Sequence, residues 1–192
     1  MKIRKILIAN RGEIAVRIIK TASRMKIGTV VIKTAVEPNA MYVTMADTVY
    51  DNTEDLSEIP VFLNIDKLID IALETKADAI HPGYGFLAEN AYFAQKCADK
   101  KLVFIGPSPD AIYKMGNKTI ARKIALAAGI PMAMGSEGNI GNEEEAVTVA
   151  EKIGYPVIIK AASGGGGRGM RIVRSAGEME KMFIIASKEA EK

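Results

Sequence analysis

The sequence predicts an α/β fold in which a mostly parallel sheet is followed by a smaller α+β region. Two observations carry this prediction. Between residues 2 and 105, short apolar runs alternate with helical patterns, which is typical of a doubly wound sheet. After residue 106 the pattern changes to proline-punctuated short helices and a glycine-rich hairpin. We therefore place the boundary between two regions near residue 115.

The first region is predicted to contain five strands separated by helices. The strands are short β-branched or apolar runs, and the helices repeat apolar residues every three or four positions. Asn10 and Glu13 have the spacing of a capping box, so Asn10 is predicted to cap the first helix. The predicted strands are Lys2–Ala9, Thr29–Lys33, Asp47–Tyr50, Ala77–His81 and Val103–Ile105, and the predicted helices are Glu13–Met25, Phe62–Thr75 and a stretch ending near Lys100.

The second region is predicted to be a mixture of helices and one hairpin. Its predicted elements are a short helix ending near Gly116, helices Thr119–Ala128 and Glu143–Ile153, a strand–loop–strand from Tyr155 to Val173, and a helix from Ser175. The acidic run at residues 143–145 is placed at a helix start, where carboxylates favourably meet the helix dipole. The last helix shows no C-cap, so we expect the chain to be cut within a longer protein.

A run of glycines in the predicted hairpin is the strongest ligand signal in the chain. Gly164, Gly165, Gly166 and Gly167 are followed by Arg168 and Gly169. Consecutive glycines carry a large entropic cost, which indicates that a ligand must approach the bare backbone closely. A strand follows them at Met170, whereas the dinucleotide fingerprint and the P-loop both require a helix there. The pattern therefore favours a loop that closes over nucleotide phosphates.

Two basic side chains stand beside this loop in the sequence. Lys160 ends the strand before the glycines, where its ammonium would point at a phosphate held by the loop. Arg168 could clamp a phosphate with its planar donor fork. Lys118 stands at the start of a predicted helix, and nothing else in the sequence around it indicates ligand binding. The alternative for each is a solvated surface charge.

Composition excludes several other functions. The net charge of +3 is too small, and the basic residues too dispersed, to indicate nucleic-acid binding. No apolar run is long enough to span a membrane. A single cysteine and a single histidine cannot form a Cys/His zinc site. The single cysteine also excludes an internal disulfide, which favours a reducing cytoplasm. Cys97 is expected to be a core thiol, and His81, which follows a strand, a structural histidine.

Several long motifs resemble the amino-terminal part of biotin carboxylase, an ATP-grasp ligase. They occur in the family's order and cover nearly the whole chain, so the resemblance is specific. It departs at residues 33–38 and at Ala88. The matching segments are KILIANRGEIAVRII, NAMYVTMAD, FLNIDKLIDIA, AIHPGYGFLAEN, FIGPSPDAIYKMGNK and GYPVIIKAASGGGGRGM.

The resemblance implies a Rossmann-like pre-ATP-grasp domain at residues 1–115 and the start of an ATP-grasp domain, with its lid, at residues 116–192. It implies ATP with Mg²⁺ as cofactor and biotin as a substrate that a carrier protein presents. The implied cofactor-binding residues are Lys118, Lys160, Gly164, Gly165, Gly166, Gly167, Arg168, Gly169 and Met170. The family's catalytic and metal-binding residues are expected beyond residue 192, so this chain alone is expected not to turn over.

The implied partners are a biotin carboxyl carrier protein, carboxyltransferase subunits and a second copy in a homodimer. The chain is most like the subunit of bacterial acetyl-CoA carboxylase, which takes part in fatty acid synthesis. Three alternatives stay open: the module of pyruvate or propionyl-CoA carboxylase, another ATP-grasp ligase such as a carbamoyl-phosphate synthase half, and a non-catalytic nucleotide-binding module.

Overall fold

The computed structural model describes residues 2–55, 57–136, 138–160 and 170–190. The chain divides into two compact units, Met1–Tyr113 and Lys114–Lys192. The division falls inside a helix, two residues before the expected boundary. The two units are defined by compactness alone, so the predicted domains, residues 1–115 and 116–192, stay a prediction.

A five-stranded parallel sheet forms the first unit. Its strand order is β3-β2-β1-β4-β5, so the chain crosses from one side of β1 to the other between β3 and β4. The predicted α/β fold is confirmed. The strands are β1 (Lys5–Ile8), β2 (Gly28–Lys33), β3 (Thr48–Asp51), β4 (Ala79–His81) and β5 (Val103–Phe104).

Helices cover both faces of this sheet. They are α1 (Gly12–Arg24) and α2 (Met41–Met45) on one face and α3 (Ile65–Glu74) and α4 (Ala91–Asp99) on the other. Helix α5 (Pro109–Gly116) follows β5 and contains the division between the two units. The sequence did not predict α2, because five residues give too little periodicity. The expected helix from Phe62 is instead a 3₁₀ turn, Val61–Leu63, followed by α3, since Asn64 interrupts it and caps α3 with its side chain.

The central strand β1 contributes to two separate cores. Ile6 and Ile8 pack on one face in a cluster with α1, whereas Leu7 packs on the other face in a cluster with α3 and α4. This alternation follows from the two-residue period of a strand. Because both faces of the sheet are covered, the inner strands β1 and β2 have continuous apolar runs, whereas the edge strand β3 alternates between partly buried and exposed residues.

The expected capping role of Asn10 is wrong. The residue before α1 is Arg11, and no side chain caps the helix. Asn10 is fully buried, and its Nδ2 donates to the carbonyl oxygens of Pro82 (2.8 Å) and Tyr84 (2.9 Å). Asn10 therefore fastens the end of β1 to the loop after β4, and its Oδ1 accepts a 2.9 Å hydrogen bond from the Arg11 N–H instead of from an N–H inside α1.

The second unit contains helices and a two-stranded ribbon. Its elements are α6 (Lys118–Ala127), α7 (Glu143–Ile153), β6 (Val157–Ile159), β7 (Arg171–Val173) and α8 (Ala176–Ala190). Strands β6 and β7 pair antiparallel, which confirms the predicted hairpin. One face of the ribbon packs with α7 and α8 around a small core that includes Ala150, Val173 and Met179. Within the part of the chain that the structure describes, no helix is long and apolar enough to cross a bilayer.

Candidate functional site

The end of the ribbon where residues 161–169 join its two strands brings together two residues that the sequence singled out. Ile159 pairs with Arg171, so the next position in register places Lys160 opposite Met170. Both side chains are exposed. Residues 161–169 lie outside the described residues, and with them the predicted positions Gly164, Gly165, Gly166, Gly167, Arg168 and Gly169. The described strands nevertheless lead directly into and out of that segment.

The outer face of the ribbon is apolar and exposed. Ile158 and Ile172 pair across the strands, and they are 55% and 51% exposed. Strand alternation puts Lys160 and Met170 on this same face, while Val157 and Val173 turn toward α7 and α8. The ribbon thus presents a flat apolar strip that ends in an ammonium group. Sequence reasoning missed Ile158 and Ile172, because residues 157–159 are all apolar and so do not show which face of the strand is exposed.

Lys118 is the first residue of α6. The preceding Asn117 caps this helix, and its Oδ1 accepts a hydrogen bond of 3.0 Å from the Ile120 N–H. A lysine at a helix start adds its charge to the positive end of the helix dipole, and both favour an anion.

Lys118 and Lys160 line one open cleft of about 1260 Å³ within the second unit. The structure thereby relates two lysines that are 42 positions apart in the sequence. The cleft wall is mixed, because polar and apolar side chains contribute to it. The polar contributors include Thr119, Arg122 and Tyr155, and the apolar ones include Val149, Ile153 and Phe183.

Two polar atoms in this cleft are buried without a hydrogen-bond partner among the described residues. They are Nε of Arg122 and the hydroxyl of Tyr155. Buried polar atoms are nearly always paired in folded proteins, so such exceptions mark places where a ligand or water completes the structure or where a side chain is held for another purpose.

The loop after β4 in the first unit is rigid and closely packed. Gly83 has φ of +67°, and a Cβ there would stand 2.6 Å from Asn10 Nδ2. His81 Nδ1 accepts a hydrogen bond of 3.0 Å from the Gly83 N–H, and burial lowers the pKa of this imidazole. The hydroxyl of Tyr84 donates to Glu13, and this hydrogen bond raises the Tyr84 pKa. His81 thus has the structural role that the sequence favoured.

Cys97 has no features of a nucleophile. Its side chain is fully buried on α4, and burial raises the pKa of the thiol to about 12. The expectation of a core thiol is confirmed. Among residues 2–55, 57–136, 138–160 and 170–190, no group of three histidine, cysteine, aspartate or glutamate side chains is arranged to hold a metal ion.

Comparison with known families assigns both units. Residues 2–112 match the family described as "Biotin carboxylase, N-terminal domain", which covers more than half of the chain. The chain belongs to the biotin carboxylase family. Residues 117–192 match the family described as "Carbamoyl-phosphate synthase L chain, ATP binding domain". The resemblance that the sequence motifs indicated is therefore confirmed.

Individual relatives support the same assignment. The chain is 50% identical over 190 residues to a biotin carboxylase from Nostoc sp., and this match covers 99% of the chain and 42% of the relative. It is 45% identical to a pyruvate carboxylase from Staphylococcus aureus, of which it covers 17%. The chain thus spans less than half the length of these curated relatives.

A solved structure shares the fold over nearly the whole chain. It is the biotin carboxylase domain dimer of Hydrogenobacter thermophilus 2-oxoglutarate carboxylase, in complex with MgADP, ADP and bicarbonate. The TM-score is 0.91 at 44% identity, and the match covers 99% of this chain and 42% of that one.

Proposed function

We propose that this chain carries part of the ATP-binding site of a biotin carboxylase. The carrying observation is that Lys118 and Lys160 line one cleft in the second unit, beside the ribbon that leads into the glycine run. In the proposed reaction, ATP transfers a phosphoryl group to bicarbonate, and the resulting carboxyphosphate releases CO₂. The other product is phosphate, which takes the proton from N1 of a biotin held by a carrier protein as that nitrogen bonds to the CO₂ carbon.

The chemistry of the ribbon face suits a nucleotide. A nucleoside triphosphate has a flat apolar base at one end and a chain of negative charges at the other. Ile158, Ile172 and Met170 offer apolar surface for the base, and Lys160 offers a cation at the end of the same strip. Lys118 adds a second cation at the positive end of α6. The roles of Gly164–Gly169 and Arg168 as a phosphate-covering loop are part of this proposal.

The wider assignment follows the family. We propose ATP with Mg²⁺ as the cofactor, a biotin carboxyl carrier protein and carboxyltransferase subunits as partners, a homodimer, and a cytoplasmic location. The solved relative, which is a dimer holding MgADP and bicarbonate, supports the nucleotide, the metal and the dimer. Acetyl-CoA carboxylase, and hence fatty acid synthesis, stays a prediction, because pyruvate and 2-oxoglutarate carboxylases are also close relatives.

A carbamoyl-phosphate synthase is the less favoured alternative. The family matched by residues 117–192 is named after carbamoyl-phosphate synthase, but the matched part is its ATP-binding domain. Residues 2–112 match the biotin carboxylase amino-terminal domain. This second match favours biotin carboxylase.

Calorimetric titration with ATP tests the proposed site. Lys118→Met and Lys160→Met should each weaken ATP binding by about tenfold or more, because each removes a charge-assisted hydrogen bond worth about 1.5–3 kcal/mol. Lys152→Met is the matched control, since Lys152 is an exposed lysine near the end of α7 that does not line the cleft.

Two outcomes would contradict the proposal. One is that the wild-type chain does not bind ATP. The other is that both cleft variants bind ATP as tightly as the Lys152→Met control does. The expectation that these 192 residues alone do not hydrolyse ATP with bicarbonate stays a separate prediction.

A further inference from the structure

Two side chains of α6 hold the segment that joins α6 to α7. We call this segment, residues 128–142, the connector. Arg122 Nη2 donates a 2.9 Å hydrogen bond to the carbonyl oxygen of Ala133, and Thr119 Oγ1 forms a 2.8 Å hydrogen bond with Asn139 Oδ1. Residues three positions apart share one face of a helix. Helix α6 therefore holds the connector by two hydrogen bonds, from Thr119 and Arg122 in the first two turns after Lys118.

The connector lies close to the Arg122 guanidinium, and this contact leaves one buried nitrogen of Arg122 without a partner among the described residues. A Cβ at Gly135 would stand 3.2–3.3 Å from three atoms of the guanidinium, so the connector approaches Arg122 as closely as it does because residue 135 is glycine. The Nε of Arg122 is also buried without a partner among the described residues. A buried, unpaired donor opposes this arrangement, which the fold nevertheless maintains.

The far end of the connector is anchored to the ribbon. Ile140 packs against the core formed by α7, α8, β6 and β7. The Gly141 N–H donates to Glu145 Oε2 (2.9 Å), while Asn142 Oδ1 accepts from the Glu145 N–H (2.9 Å). The connector thus runs between two fixed points, the face of α6 and the core beneath the ribbon. The connector therefore links the helix that begins at Lys118 to the core beneath the ribbon strand that leads to Lys160.

We propose that Arg122 and Thr119 are positioning residues, which fix the spacing of Lys118 and Lys160 for a nucleoside triphosphate. Neither needs to touch the ligand, because each acts through the connector. A site whose two cations are already correctly spaced avoids the entropic cost of ordering them on binding. This inference rests on the proposed function, since it concerns the same two lysines.

Arg122→Met should weaken ATP binding by about threefold to tenfold, because the removed fork no longer fixes the connector. Lys123→Met is the matched control: it removes one positive charge from the neighbouring, exposed position of α6, which does not line the cleft. Arg122→Lys restores the charge without the planar fork, so it should recover little of the lost affinity. ATP affinity is measured by calorimetry, and folding is checked by circular dichroism.

A second readout separates positioning from a merely structural role. In the wild-type chain, Lys118→Met and Lys160→Met should each reduce ATP affinity strongly. In the Arg122→Met background, the same lysine substitutions should cost at least threefold less affinity, because the lysines no longer converge on one phosphate chain. If Arg122 only stabilised the fold, the thermal midpoint would fall while the contributions of the lysines stayed unchanged, and the inference would be overturned.

Thr119→Val keeps the test decisive if Arg122→Met does not fold. It deletes the hydroxyl that bonds Asn139, and the Gly141 amide, which donates to Glu145, should exchange about tenfold faster while α7 stays protected. Unchanged exchange together with unchanged ATP affinity would contradict the inference. Failure of the wild-type chain to bind ATP would instead overturn the proposed function. Wild-type binding with Arg122→Met equal to Lys123→Met would overturn the inference alone.

Discussion

The two units of the chain differ in how they use apolar side chains. In the first unit, both faces of a five-stranded sheet are covered, and the inner strands β1, β2 and β4 are buried almost throughout. In the second unit, one face of a two-stranded ribbon packs on α7 and α8, and the other face leaves Ile158 and Ile172 exposed. A ribbon of two strands cannot bury both of its faces with so few elements.

We infer from this difference that the first unit mainly provides stability and that the second unit provides the surface for binding. The sheet unit buries its apolar residues in two cores, and its polar contacts, such as those of Asn10, fasten its own loops. The described residues that we assign to nucleotide binding lie in the ribbon unit, on surfaces that its core leaves exposed. Truncation in the first unit should therefore damage folding, whereas truncation on the ribbon face should damage binding.

The largest expected contrast is between Leu7→Ala and Ile158→Ala. Leu7 is fully buried on the central strand, so its truncation should lower the free energy of unfolding by about 2–5 kcal/mol. Ile158 is 55% exposed, and its truncation should change stability by less than about 1 kcal/mol. Urea denaturation of both variants measures the two values. Similar losses in the two units would break the comparison.

A smaller contrast lies within the loop after β4. Gly83 and Gly85 both have positive φ, near +67° and +69°, so alanine costs about 1–2 kcal/mol of backbone strain at either position. At Gly83 the new Cβ would also meet Asn10 and Ile14, whereas at Gly85 nothing lies within 4 Å. Gly83→Ala should therefore destabilise the chain by about 1–3 kcal/mol more than Gly85→Ala does.

Thermal or urea unfolding of these two glycine variants gives the difference directly. Equal losses would mean that Asn10 does not hold the loop tightly, and that the loop moves aside at little cost. The first unit would then be a less rigid scaffold than its hydrogen bonds indicate.

The sequence predicted much of this architecture because its signals are local. The alternation of strands and helices and the hairpin both depend on neighbouring residues. The role of Asn10 was mispredicted because its partners, Pro82 and Tyr84, are more than 70 positions away. Helix α2 was missed because it is short.

The candidate site was predicted in the same uneven way. Lys160 was identifiable because it stands next to the glycine run. Lys118 gained its significance first from the family motif and then from the cleft that it shares with Lys160. The outer face of the ribbon became evident only once the register of β6 and β7 defined which side chains share that face.

The most direct test of this account is an ¹⁵N NMR titration of the chain with ATP. We predict that the largest amide chemical-shift changes occur at one end of the ribbon, near Lys160 and Met170, and at the start of α6, near Lys118. The amides of the five-stranded sheet should hardly shift. Shifts confined to the first unit, with none on the ribbon, would contradict the assignment of nucleotide binding to the second unit.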